Sequence, residues 1–160
     1  MKYSSSKILN KIVSIGIVLT LVALIAMPFI LTVILERDFG IIEGAKPIKL
    51  SIGIYICAIP YLISLVSLKK LCKQTSLQDP FSRTIPKYLK QISICAFSEI
   101  LIFNVVQLVL HYFFDVYLYG MIISALIVSF VSLSIGFFGV VLGKLFEMAI
   151  EIKDENDKTI

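Results

Sequence analysis

The sequence predicts an all-α integral membrane protein, with four transmembrane helices in an antiparallel bundle and both termini on the cytoplasmic side. Three observations predict it. Of 160 residues, 58% are hydrophobic and only 16% charged, and the mean hydropathy is +0.95, far from the composition of soluble domains. A soluble chain of about 150 residues can hide only about 70% of the surface its unfolded form exposes, too little for this apolar content. The apolar residues also fall into four long runs, and the basic residues are unevenly shared between the segments that join them.

The first run is uncharged from Ile12 to Leu35. At 24 residues it exceeds the about 7 to 15 of a signal-peptide core, and Ala23 and Ala26 do not form a small-residue cleavage site, so a retained span is expected. The second run, Leu50 to Leu68, has 19 uncharged residues between Lys49 and Lys69. The third, Gln91 to Phe114, carries one charge, Glu99; the fourth, Val116 to Gly143, carries none. Each is long enough for a helix to cross about 30 Å of hydrocarbon, which takes roughly 20 residues. Such uninterrupted runs exclude the short alternating strands of a barrel. One membrane domain over 1–160 is expected, with helices near 8–36, 48–70, 86–114 and 117–150, a loop at 70–86 and a tail at 151–160.

Orientation follows from Lys and Arg in the flanks. Lys2, Lys7 and Lys11 precede the first run, six basic residues lie between Lys69 and Lys90, and Lys144, Lys153 and Lys158 follow the fourth. Those are twelve, against Arg37, Lys46 and Lys49 on the other side. The positive-inside rule then places both termini in the cytoplasm. The short third connection, FFDVYLYG, makes the last two helices a hairpin, whose Tyr112, Phe113, Phe114, Tyr117 and Tyr119 suit the opposite interface.

The basic clusters mark topology, and no stretch interleaves them with stacking aromatics, so direct nucleic-acid binding is not expected. Cys57, Cys72 and Cys95 form neither a disulfide framework nor a zinc pattern. No cofactor motif or catalytic signature is present: there is one His, no HExxH and no phosphate-binding glycine loop. A non-enzyme is expected.

Four features stand out as candidate sites. Glu99 lies halfway along the third span, where an ionised carboxylate costs roughly 2.5 to 3.5 kcal/mol on insertion scales, so it is expected to be neutral, turned inward or paired. Asn104, Gln107 and His111 follow on one stripe of that helix, at 100° per residue, while Glu99 borders the stripe. They suit either a proton or cation path or interhelical hydrogen bonds worth about 0.6 kcal/mol each. On the fourth helix Ala125, Ser129, Ser132, Gly136, Gly139 and Gly143 form a small-residue stripe ending in GxxxG, where a helix of this chain or of a second copy can approach closely. In the cytoplasmic loop Asp79-Pro80 marks a turn and Pro86 suits the start of a helix. The segment Arg83 to Lys90 either rests on the anionic inner leaflet or, with Asp79, Pro80, Phe81 and Arg83, docks a cytosolic partner.

Asp79-Pro80-Phe81-Ser82 and the ending Glu155-Asn156-Asp157-Lys158-Thr159-Ile160, with four spans of this length, resemble the small bacterial membrane proteins grouped as domain of unknown function 2975. The resemblance covers nearly the whole chain, with Lys158 where the family typically has leucine. It implies a plasma-membrane protein of Bacillota-like bacteria, frequently encoded beside a small helix-turn-helix transcription regulator, with no established catalytic residues. Three functions are compatible with the sequence. One is a membrane partner or sensor for such a regulator. The second is a small proton-coupled transporter or efflux subunit using Glu99, built as a homo-oligomer because four helices enclose little volume. The third is an immunity protein against a membrane-active peptide.

Overall fold

A computed structural model describes the backbone of residues 2–39, 46–76, 82–114 and 120–158, and the side chains of 8–34, 48–75, 82–112 and 120–158. All but the approach to the third helix is helical: α1 (Lys2–Phe39), α2 (Lys46–Ser76), α3 (Thr84–Phe114) and α4 (Gly120–Lys158), with no strand among the described residues. Each contains a stretch long and apolar enough to cross a membrane. At 1.5 Å per residue the 39 residues of α4 measure about 58 Å, nearly twice the hydrocarbon thickness. Helix α2 thus continues past the expected end near residue 70 to Ser76, and the tail expected from 151 is helical to Lys158. Once the apolar run has nucleated the helix, each further residue adds a hydrogen bond at low cost, so even the weak helix formers Asp154, Asn156 and Asp157 continue it.

The helices are antiparallel and meet in chain order, α1 on α2, α2 on α3 and α3 on α4. Among the described residues α1 approaches neither α3 nor α4. This makes α3 the centre of the packed unit. The inside and outside are inverted relative to a soluble protein. Phe29, Phe130 and Leu101 are 75%, 71% and 71% exposed, whereas the most deeply buried side chains are Ser67 and Ser93. Lipid tails are as apolar as leucine, so large side chains gain little by turning inward, and small residues that let backbones close up occupy the contacts instead.

Helices α1 and α2 run through prolines in their interiors, Pro28 and Pro60. A proline inside a helix leaves the carbonyl four residues earlier without its amide donor. For Pro28 that carbonyl belongs to Leu24, and the Tyr55 hydroxyl of α2 donates to it at 3.1 Å. The hydrogen bond lost within α1 is replaced by one that ties α1 to α2. Thr32 donates to the Pro28 carbonyl at 2.8 Å, one turn later. Further along the same interface Leu31 packs on Leu50, which with Leu110 and Val106 joins α1, α2 and α3 in a small apolar cluster.

Candidate functional site

The small-residue stripe of α4 lies against α3 of the same chain. Ser132, Gly136, Gly139, Gly143 and Ile150 are the buried residues of α4, and Ala125 is half-buried. A Cβ at Gly136 would stand 2.7 Å from the Phe97 ring, and one at Gly139 would fall on the Ser93 hydroxyl, with the Leu89 carbonyl 3.1 Å away. Gly143 is less crowded, with nothing nearer than the Leu89 Cβ at 3.8 Å. Close approach is therefore required at Gly136 and Gly139 and only permitted at Gly143. The Phe97 ring that fills the space over Gly136 also meets Phe137 edge-on, centroids 5.7 Å apart.

Toward the other end of the same interface, the amides of α3 bond to α4. Asn104 donates from Nδ2 to the Ile100 carbonyl at 2.7 Å and to the Ser129 hydroxyl at 3.1 Å. Gln107 donates from Nε2 to the Ser124 hydroxyl at 2.9 Å, and Ser124 donates on to the Met121 carbonyl at 2.8 Å. These amides act as glue between two helices, each bond satisfying a polar group that lipid cannot hydrate. His111, half-buried, stands with its ring 5.0 Å from that of Tyr112 and inclined at 61° to it.

Glu99 points elsewhere. Its position on α3 is rotated from the amide stripe, and its side chain lines two cavities, of about 380 and 280 Å³, whose walls come from α2, α3 and α4. Its Oε2 atom is buried without a hydrogen-bond partner. Among the lining residues there is no Lys, Arg or His, and among the described residues no three His, Cys, Asp or Glu gather as a metal site would need. The structure thus gives Asn104 and Gln107 hydrogen bonds to α4, sets His111 beside Tyr112, and leaves Oε2 of Glu99 without a partner on the wall of a cavity that Gln107 also lines.

At the basic end, the approach to α3 is held by Ser82, whose hydroxyl accepts from the Thr84 amide at 3.4 Å while its carbonyl accepts from the Ile85 amide at 3.0 Å. Gln74 of α2 donates to the same hydroxyl at 3.2 Å. Serine is suited to this role because its oxygen satisfies an amide that has no partner inside the helix. Arg83, fixed beside this cap, pairs with Asp154 of α4 at 2.5 Å. Around them Pro86, Lys87, Glu147, Ile150 and Glu151 complete a recess of about 330 Å³. Asp79, Pro80 and Phe81 lie outside the described residues, as do Tyr117, Tyr119 and the side chains of Phe113 and Phe114. The roles of Asp154, Ser93 and Tyr55 were not legible in sequence: each depends on a neighbour at least 31 positions away or on the exact depth of a helix contact.

The profile of the family described as "Protein of unknown function (DUF2975)" matches residues 33–160. The chain belongs to this family. Within the DUF2975 family it is similar to the "Uncharacterized membrane protein YoaS" of Bacillus subtilis (strain 168), being 32% identical over 110 residues that cover 68% of this chain and 69% of the relative. No solved structure matches. The family match and the four apolar helices make this a multi-pass membrane protein. The matched region takes in α2, α3 and α4 whole, and with them Glu99, the α3–α4 contact and the recess at the basic end.

Proposed function

We propose that this DUF2975 protein is a non-enzymatic partner in the bacterial plasma membrane, with both termini in the cytoplasm, which holds or senses for a small cytosolic regulator at its basic end. One observation carries this reading. The loop preceding α3 and the long extension of α4 form a single recess rather than two separate solvated segments. Its floor is apolar, with Pro86 buried and Ile150 only 6% exposed. Its rim holds charges of both signs: Arg83 from the approach to α3, Lys87 from α3, and Glu147, Glu151 and Asp154 from α4. An apolar centre within a charged rim is the composition of a protein-docking patch, and α4 is long enough to carry it clear of the lipid.

The Arg83–Asp154 pair itself contributes little to folding, because Arg83 is 80% exposed and exposed pairs are worth about 0 to 1 kcal/mol. Its two charges are thus available for exchange with a partner's charges. The regulator class comes from the family resemblance, and the docking from the recess. The test is co-purification of the detergent-solubilised protein with the regulator encoded beside it. Recovery is expected to fall when residues 145–160 are deleted and Asp79 to Arg83 replaced by a neutral linker. Unchanged recovery would refute the docking surface.

A further inference from the structure

Helix α3 is flanked by α2 on one side and α4 on the other, and α1 packs along α2 with Leu31 on the Leu50–Leu110 cluster, leaving space between α2 and α4 beside α3. Two cavities occupy that space. The larger, about 380 Å³, is walled by Ile54 and Cys57 of α2, Phe103 and Val106 of α3, and Met121 and Val128 of α4. The smaller, about 280 Å³, lies alongside Pro60 and Tyr61 of α2 and Ile135 of α4. Only Glu99 belongs to both linings, so its side chain borders both cavities of the apolar groove along α3. It is the sixteenth of the 31 residues of α3 and lies about 12 Å along the helix from Gln91, where the run between Lys90 and the far end begins, so it sits within the hydrocarbon.

We propose that this groove binds a lipophilic organic cation, with Glu99 as its counter-charge. A carboxyl group at the bilayer centre is costly and persists where it has a partner, yet Oε2 of Glu99 is buried with none. Neither cavity offers a basic residue to supply one. Of the polar groups on the walls, Gln107 and Ser124 are engaged with each other, and Tyr61, Ser64 and Ser132 bring no positive charge. What is missing is a positive charge that arrives with its own apolar body. A compact inorganic cation would leave the walls empty and keep most of its desolvation cost, whereas an organic cation fills the groove and meets the carboxyl in a low-dielectric setting where the attraction is strong. Phe103, on the same wall, adds an aromatic ring of the kind that favours cations. The groove volume lies within the range of small-molecule sites. This site stands apart from the recess at the basic end and does not depend on the docking reading.

The test uses the full chain in nanodiscs of phosphatidylcholine, a zwitterionic lipid that adds no surface attraction. Tetraphenylphosphonium, a permanent lipophilic cation, is measured by equilibrium dialysis beside tetraphenylborate, of the same shape and opposite charge. Saturable binding of tetraphenylphosphonium near one per chain is expected, weakened at least tenfold in Glu99→Gln. Val128→Phe, which keeps the carboxyl and fills the larger cavity, is expected to weaken it as well, and it preserves the test if Glu99→Gln fails to fold. Tetraphenylborate is expected to partition without saturating. Equal uptake of the cation by the wild type, both variants and empty nanodiscs would overturn the proposal, as would saturable binding of tetraphenylborate. Absence of saturable cation binding together with cross-linking of copies through Cys57 would also overturn it and assign the groove to a second copy.

Discussion

Gly139 and Gly143 look equivalent as the two ends of a GxxxG pair, and the structure predicts that they respond oppositely to alanine. In Gly139→Ala the new methyl falls on the Ser93 hydroxyl, and the Leu89 backbone carbonyl stands only 3.1 Å from it. Ser93 cannot turn aside freely, because its hydroxyl donates to that same carbonyl at 3.0 Å and the residue is 1% exposed. Overpacking of this kind costs about 1 to 3 kcal/mol, and losing the hydroxyl's bond adds about 0.6 kcal/mol. Against these, replacing a mid-helix glycine by alanine returns up to about 1 kcal/mol. With the full helix gain, Gly139→Ala is thus expected to destabilise by about 0.6 to 2.6 kcal/mol. At Gly143 the nearest atoms are at 3.8 and 4.0 Å, ordinary contact, so Gly143→Ala keeps the helix gain and is neutral or slightly stabilising. The two variants should differ by about 2 kcal/mol in reversible unfolding measured by steric trapping in bicelles. Combining Gly139→Ala with Ser93→Ala removes the clashing oxygen, and part of the loss should return as a non-additive term. Equal losses at the two glycines, or strict additivity with Ser93→Ala, would refute the assignment of this contact.

Three more outcomes are expected. Tyr55→Phe should cost about 0.6 kcal/mol in the same assay and nothing in a Pro28→Ala background, because alanine restores the amide that the Leu24 carbonyl lacks; an equal cost in both backgrounds would mean that the hydroxyl does not serve that carbonyl. Asn104→Leu and Gln107→Leu should each lose about 0.6 kcal/mol and no more than about 1.7, and vesicle proton-flux measurements should be unchanged by either, since their donors are spent on α4. Arg83→Ala should alter stability by less than about 1 kcal/mol while reducing recovery of the regulator in the co-purification; a large stability loss with intact recovery would invert its proposed role.

The number of spans could be read from one dimension, because crossing a bilayer is a matter of run length against a fixed thickness. That reading needs no neighbour: Ile12 to Leu35 is long enough by itself. The small-residue stripe was legible for a related reason, as six residues at spacings of three and four mark one side of a helix whatever lies opposite. What lies opposite was decided by tertiary structure, and here the sequence has little contrast to offer. In water an apolar stripe shows which face is buried, but in lipid both faces of α3 are apolar and burial follows shape. Hence Phe97 over Gly136, Ser93 under Gly139 and Tyr55 on the Leu24 carbonyl emerge only from the packed helices. The same holds for Glu99: its depth is a count along the chain, whereas its unpartnered Oε2 and its place on the walls of two cavities depend on where α2 and α4 stand around α3. Depth is a property of a segment, and partnership is a property of three helices held together.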